Sequence, residues 1–283
     1  MKHETRRVIV FADLDGTLLD DRYDCGCARP VISKLQSLGV PIVFCSSKTL
    51  GEMEVYRREL GVSDPFVVEN GGAVFVPKGY FPFPFEVSKR TSKYDVVELG
   101  LRYGVVREKL ARINLETGAG LVGFGDLSAK ELAFESGLPL GLAKLAKMRG
   151  YDEPCRLLWG NEKELLKAVE KEGLTFTRGG RYFHLLGGTD KGKATCVLKD
   201  LYARAFGEVV SFGVGDSAVD LPMLRVVDVP FLVRRELGGE NACLGVWRNL
   251  LRLVEDEAVS VWVGEQSILR CRSRTSPGAG RES

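Results

Sequence analysis

Several things are missing from this chain, and each absence removes a class of protein. No apolar run approaches the roughly 18 residues that a bilayer span requires, so a membrane protein is not expected. The opening stretch, MKHETRRVIVFADLDG, is broken by charge and holds no cleavable apolar segment, which reads as a cytoplasmic protein. Charge of one sign is missing too. The 40 Lys and Arg residues face 38 Asp and Glu, a formal net charge of +2, so neither nucleic acid nor an anionic membrane is implied as a partner. Any recognition of an anion has to be local. The seven cysteines (Cys25, Cys27, Cys45, Cys155, Cys196, Cys243 and Cys271) are odd in number and scattered, which argues against a disulfide framework. Cys25-Gly26-Cys27 has no second cysteine pair near it and makes a poor zinc site. There is no internal repeat. Nothing in the chain indicates an oligomeric state.

What remains is an ordinary globular composition, 45% hydrophobic and 28% charged over 283 residues, long enough for one large domain or for a core with a smaller companion. VIVFA at 8–12 is a continuous β-branched and apolar run of the kind buried on both faces of a parallel sheet. A helix follows, with Pro30 in its first turn and Gly39 at its end, then the strand VPIVFC, the helix TLGEMEVYRRELG and the strand PFVVEN. This alternation predicts a doubly wound parallel-sheet, Rossmann-like α/β core. The character changes near residue 77, where VPKGYFPFPFEV holds three prolines among aromatics. Helices are expected over 96–115, 128–136 and 138–149, another opening at Asn161 with Glu164 as its capping partner, and a hairpin turning at Gly179 and Gly180. The segment 87–187 therefore reads as an inserted α+β domain between core segments 1–86 and 188–270. The second core segment contains the helix DKGKATCVLKDLYARAFG, the strands VVSFGVGD and VPFLV, and a helix over 246–256, while 271–283 reads as a disordered tail.

In such a sheet, ligands bind beyond the carboxyl ends of the strands. The residues that follow the apolar runs are Asp13 and Asp15, then Ser46, Ser47 and Lys48, then Glu69 and Asn70, then Asp216 and Asp220. Several carboxylates in one small space require a cation, and a hard divalent ion such as Mg²⁺, which keeps waters and tolerates phosphate, suits them. Lys48 and Lys191 add fixed positive charge for the same anion. Together these groups form a set suited to phosphoryl transfer, where catalysis consists mainly of positioning and charge neutralisation.

The same residues resemble the haloacid dehalogenase-like phosphohydrolases, whose four motifs occur here in order. DLDGT resembles the first motif, which implies Asp13 as nucleophile and Asp15 as the acid and base. Ser46 resembles the second, a hydroxyl for the phosphoryl oxygens, and Lys191 in TDKGKA the third. GVGDSAVDLPML resembles the fourth, which implies a metal set of Asp13, Asp15, Asp216 and Asp220. An insert between the second and third motifs implies a C2-type α/β cap. Within the superfamily, SSKT (46–49), VENGGAV (68–74), YDEP (151–154) and GRYFHLLGGTDKGKA (180–194) are similar to mannosyl-3-phosphoglycerate phosphatases. That likeness implies a small phosphorylated sugar or glycerate substrate and mannosylglycerate, a compatible solute, as product. The fourth motif departs from the usual pattern, since Val219 stands where an Asn is expected.

For such a substrate, Arg181 and His184 are candidates for the carboxylate, Glu153 for the sugar, and Lys48 and Asn70 for contacts from the core side. Plainer readings stand beside these. Ser46 would cap a helix, Asp220 would orient a loop, Lys48 would pair with an acid on its helix, and Glu153 with Arg181. His184 would be a satisfied buried histidine, Asn70 a turn former, and the aromatic stretch 80–85 packing. Rival functions are a phosphatase for another ester (sucrose phosphate, glucosyl-3-phosphoglycerate or phosphoglycolate), a phosphomutase, and an idle ligand-binding relative.

Overall fold

The computed structural model describes residues 7–20, 22–26, 28–233 and 240–255, the last segment with side chains from residue 245. The expectation for the tail 271–283, and the side chains of Cys27, Cys243 and Cys271, lie outside the described residues.

The core begins with β1 (Arg7–Ala12), α1 (Arg29–Ser37), β2 (Ile42–Phe44), α2 (Leu50–Leu60) and β3 (Phe66–Val68), and continues into β4 (Ala73–Pro77), β5 (Lys89–Arg90) and β6 (Tyr94–Glu98). The insert follows as α3 (Tyr103–Thr117), β7 (Leu121–Gly123), α4 (Ala129–Ser136), α5 (Leu140–Ala146), β8 (Glu153–Leu157), α6 (Glu162–Lys171), β9 (Leu174–Arg178) and β10 (Phe183–Gly187). The chain returns to the core through α7 (Lys191–Phe206), β11 (Val209–Gly215), α8 (Leu221–Leu224), β12 (Val229–Leu232) and α9 (Glu240–Glu255). Among the described residues no helix is long and apolar enough to cross a membrane.

The parallel sheet runs β12-β11-β1-β2. Ala12 is in register with Val214 on one side and Phe44 on the other, so three strands release their chains at the same level. The expected burial on both faces is present. Val10 and Ala12 face one layer with Ile32 and Leu35 of α1, Tyr56 of α2 and Trp247 of α9, whereas Ile9 and Phe11 face the other with Leu198 and Tyr202 of α7. The aromatic stretch packs on α7, Phe81 lying 5.2 Å from Tyr202 and Arg204 4.2 Å over the Phe83 ring, as its plainer reading proposed.

Two parts differ from the sequence expectation. A parallel bridge from Cys45 to Val67 brings β3 to the sheet, but β3 then pairs antiparallel with β4, β4 with β6, and β6 with β5. The link from β3 to β4 is a single tight turn, too short for the crossover that a further parallel strand needs. The helix expected from residue 96 starts only at Tyr103, because buried Tyr94 and Val96 alternate along β6 and Tyr94 packs edge-on against the stacked rings of Phe66 and Phe75. The boundary expected at residue 87 thus falls ahead of two strands that pair on the core side.

The insert is an antiparallel sheet, β7-β8-β10-β9. Val106, Leu110 and Ile113 of α3 and Leu165 and Val169 of α6 share its core, while α4 and α5 enclose a separate cluster with Phe124, Leu132 and Ala143. Both connections to the core meet at one place. Leu99 and Gly100 donate N–H bonds to Gly72 O, each at 2.9 Å, and Thr189 Oγ1 donates to Gly71 O at 2.6 Å. Gly71 sits at φ 95°, and a Cβ there would lie 2.1 Å from Asp190 O, so only glycine fits.

Candidate active site

The first acid follows β1 directly. Asp13 N–H donates to Val214 O at 2.9 Å, which continues the ladder by one residue and fixes the carboxylate at the sheet edge. The chain then turns sharply: Leu14 O accepts from the N–H groups of Thr17, Leu18 and Leu19, and Gly16 takes φ 79° to allow it. From behind, buried Trp247 of α9 donates Nε1–H to Thr17 O at 3.1 Å. The sequence reading assigned that helix no task.

Lys191 opens α7, whose N-terminus is capped by Asp190 Oδ1 accepting from Lys193 N at 2.8 Å. Its ammonium is fully buried and donates to Asp13 Oδ1 and to Asp220 Oδ1, both at 2.6 Å. Asp220 spends its other oxygen on the loop after β11, accepting from Asp216 N, Ser217 N and Ser217 Oγ at 3.1, 2.9 and 2.8 Å. It therefore orients the loop and still reaches the centre of the site. Burial would by itself discharge Lys191, but Asp13 and Asp220 outweigh it and hold the ammonium above its ordinary range. Burial, and then the charge of Asp220, push Asp13 well above the ordinary carboxylate range despite the lysine.

Oxygens of Asp13, Asp216 and Asp220 lie within 4.8 Å of one another. Three carboxylates around one ammonium leave excess negative charge, and an oxygen-seeking divalent cation fits that donor set. Of the four ligands expected, the structure brings these three together. The carboxylate of Asp15 turns away, its Oδ1 lying 2.8 Å from Lys48 Nζ. Lys48 is almost fully buried, 4.0 Å from Glu52 Oε1 and under the rings of Tyr23 and Tyr56 at 5.2 and 5.3 Å, and Asp15 and Glu52 hold its charge against burial. Both readings of Lys48 are thus represented, because it pairs with acids and also lines the cavity.

A cavity of about 260 Å³ lies between this core edge and the insert. Asp13, Asp15, Lys48, Lys191 and Asp216 line it from the core, and Arg149, Arg181, Tyr182 and His184 from the insert. Val219 lines it as an apolar wall. Ser46 is fully buried, its hydroxyl accepting from Lys48 N at 3.3 Å, and the next residue, Ser47, reaches the cavity. Asn70, at φ 55°, points Nδ2 to Asp152 Oδ2 at 3.0 Å. The same Asp152 oxygen takes Arg149 Nη2 at 3.0 Å and sits 2.7 Å from His184 Nδ1. Glu153 faces the interior of the insert, where Tyr103 and Arg107 donate to it at 2.7 and 3.0 Å; its pairing is with Arg107 and not with Arg181. Arg181 Nη1 donates to Ser136 O at 2.6 Å.

The sequence places Glu69 at the sheet edge without its partners and does not single out Arg149, and both organise the site. Glu69 accepts backbone N–H bonds from Gly150, Tyr151 and Asp152 at 2.9–3.1 Å and so ties the turn before β8 to the end of β3. Arg149, buried, donates to Ser47 O at 2.9 Å across the same seam. These partners are some eighty to a hundred residues apart, and no local pattern announces them.

Comparison with known proteins gives a family and several relatives. The family described as haloacid dehalogenase-like hydrolase matches residues 10–88. The chain is 44% identical over 241 residues to a Methanococcoides burtonii protein named glucosyl-3-phosphoglycerate/mannosyl-3-phosphoglycerate phosphatase, spanning 84% of this chain and 87% of that one. It is 41% identical over 225 residues to the mannosyl-3-phosphoglycerate phosphatase of Pyrococcus horikoshii, spanning 80% and 90% of the two chains. A solved structure from Streptococcus mutans shares the fold with a TM-score of 0.60 at 16% identity, over 86% of this chain and 98% of that one.

Proposed function

The chain belongs to the haloacid dehalogenase-like hydrolases, and from that premise we propose that it removes phosphate from mannosyl-3-phosphoglycerate or its glucosyl counterpart, with Mg²⁺ as cofactor. It is a sugar-phosphate phosphatase, a phosphoric monoester hydrolase of this superfamily. The observation that carries the site assignment is Lys191 bridging Asp13 and Asp220 at the mouth of β1.

In this reading a carboxylate oxygen of Asp13 attacks phosphorus, and the bond from phosphorus to the ester oxygen breaks as Asp15 gives that oxygen its proton. Asp15, now ionised, takes a proton from water as the water oxygen attacks the phosphorus of the aspartyl phosphate. Phosphate leaves, and Asp13 and protonated Asp15 are regenerated. Lys191 holds the Asp13 carboxylate in place at 2.6 Å, and Lys48 fixes the direction of Asp15 from 2.8 Å. A divalent cation held by Asp13, Asp216 and Asp220 would neutralise the phosphoryl oxygens. The insert, taken as residues 99–188, serves as the cap that excludes water from the leaving group. The product would be a glycosylglycerate solute made in the cytoplasm.

The test is phosphate release from mannosyl-3-phosphoglycerate, glucosyl-3-phosphoglycerate, sucrose phosphate and phosphoglycolate, each with Mg²⁺ and with a chelator. Release that needs Mg²⁺ and is fastest for the first two supports the reading. Equal rates on all four refute the substrate assignment, and transfer of phosphate without release identifies a mutase.

A further inference from the structure

The cavity's cations are unequally provided with acids. Lys191 is bonded to Asp13 and Asp220, Lys48 pairs with Asp15 and Glu52, and Arg149 lies against Glu69 and Asp152. Arg181 differs. Among the described residues no carboxylate lies within ion-pairing distance of it, and its one hydrogen bond runs from Nη1 to the carbonyl of Ser136. Nε and Nη2 therefore retain donors at the cavity rim, in the planar arrangement that suits a carboxylate.

The core supplies a second donor at the same point. Tyr23 OH donates to Ser136 O at 3.0 Å, so one carbonyl of the insert collects a phenol from the core and a guanidinium from the insert. Tyr23 is held there at some cost, since its backbone sits at φ 63°, a conformation that a bulky residue rarely takes. Asp20 Oδ1 fixes that loop by accepting from Arg22 N and Asp24 N at 2.8 and 2.9 Å. The Tyr23 ring also lies 5.2 Å from Lys48 Nζ, which itself pairs with Asp15. Tyr23 thus spans the distance from the group that protonates the leaving oxygen to the unpaired guanidinium. Burial, and then the charge of Asp15, push its phenol up, so its one proton is present at neutral pH and can turn from Ser136 O to an incoming carboxylate.

We propose that Arg181 and Tyr23 together read a carboxylate on the leaving group, one on each side of the seam, and so select phosphoglycerate esters over sugar phosphates that lack the acid. This rests on the proposed substrate class and identifies the residues that distinguish it. Tyr23 and Arg181 act in binding. The anion completes the charge of the cavity and joins the insert to the core in one step.

The test separates this inference from the turnover assignment by using binding alone. The full-length Asp13→Asn chain, with Mg²⁺, is titrated by calorimetry with 3-phosphoglycerate and with glycerol 3-phosphate, which differ by the carboxylate. 3-Phosphoglycerate is expected to bind about 10- to 100-fold tighter, the range for hydrogen bonds to a charged group. Adding Arg181→Gln should erase that preference, Arg181→Lys should keep part of it, and Tyr23→Phe should reduce it by about fivefold. Glycerol 3-phosphate affinity should stay within about twofold throughout, a measure that a merely structural role would disturb. A preference that survives Arg181→Gln, or no preference in the parent chain, overturns the proposal, whatever phosphate release shows.

Discussion

On the core wall of the cavity Lys191 and Asp220 are fully buried, Asp13 is 5% exposed, and Lys191 is bonded to both acids. On the insert wall Arg181 is exposed and rests on a single carbonyl. The core wall hangs from three strands in register, whereas the insert wall combines the hairpin turn, the turn before β8 and His184 on β10. The contrast matches the two tasks. Bond-breaking needs charges held within a fraction of an ångström, and recognition needs groups that wait for a ligand to complete them.

The contrast is broken most severely by Asp13→Asn. Phosphate release is expected to fall by about 10⁴-fold or more, the scale for loss of a nucleophile, while circular dichroism stays unchanged. Wild-type rates in that variant would refute the nucleophile assignment. Lys191→Ala should reveal the energetic side of the same wall, since it leaves Asp13 and Asp220 buried without their partner. A loss of about 3–5 kcal/mol in urea denaturation is expected, and Asp220→Asn added to it should restore part. If Lys191→Ala is as stable as wild type, the triad's charge balance is not what holds this edge.

Glu153→Ala sharpens the comparison from the other side. It removes the acceptor for Tyr103 and Arg107 inside the insert and should cost about 1–3 kcal/mol of stability with KM for the ester little changed. A large rise in KM at unchanged stability would instead return Glu153 to the sugar. The smallest effect belongs to the surface of the insert, where Arg112 and then Lys109 lower Glu172 from its ordinary 4.5 to about 2. The folded chain binds that proton less tightly than the unfolded one. The contribution is therefore complete above the ordinary value and fades as pH falls from about 4.5 towards about 2. Arg112→Ala should accordingly lower the melting temperature slightly near neutrality and not at all at the acid end, and an equal shift at both would show that the pair is not responsible.

The core wall was largely legible in the sequence because a strand buried on both faces leaves little choice about where its next residue goes. Asp13 and Asp216 sit where they do for that reason, and Lys191 joins them from the start of α7 and Asp220 from the turn after β11. Legibility ended where one residue decides direction: Ser46 is turned inward and Ser47 outward, and Asp15 faces Lys48 in place of the other acids. It also ended where partners are distant. Tyr94 belongs to a strand because Phe66 and Phe75 are beside it, Glu153 points inward because Arg107 is there, and Asp152 gathers Asn70, Arg149 and His184 from three segments. The likeness of Val219 to a missing Asn was visible; that it forms part of the cavity wall was not.

The meeting of both linkers at Gly71 and Gly72 makes that turn an axle. The insert is tied to the core again where Glu69 takes the N–H groups of 150–152 and Arg149 donates to Ser47 O, so a swing about that turn has to break those bonds. The axle touches Asp190, the residue before Lys191, with no space between them. The lysine that holds the nucleophile thus stands one residue from the pivot, where a swing of any amplitude displaces it least.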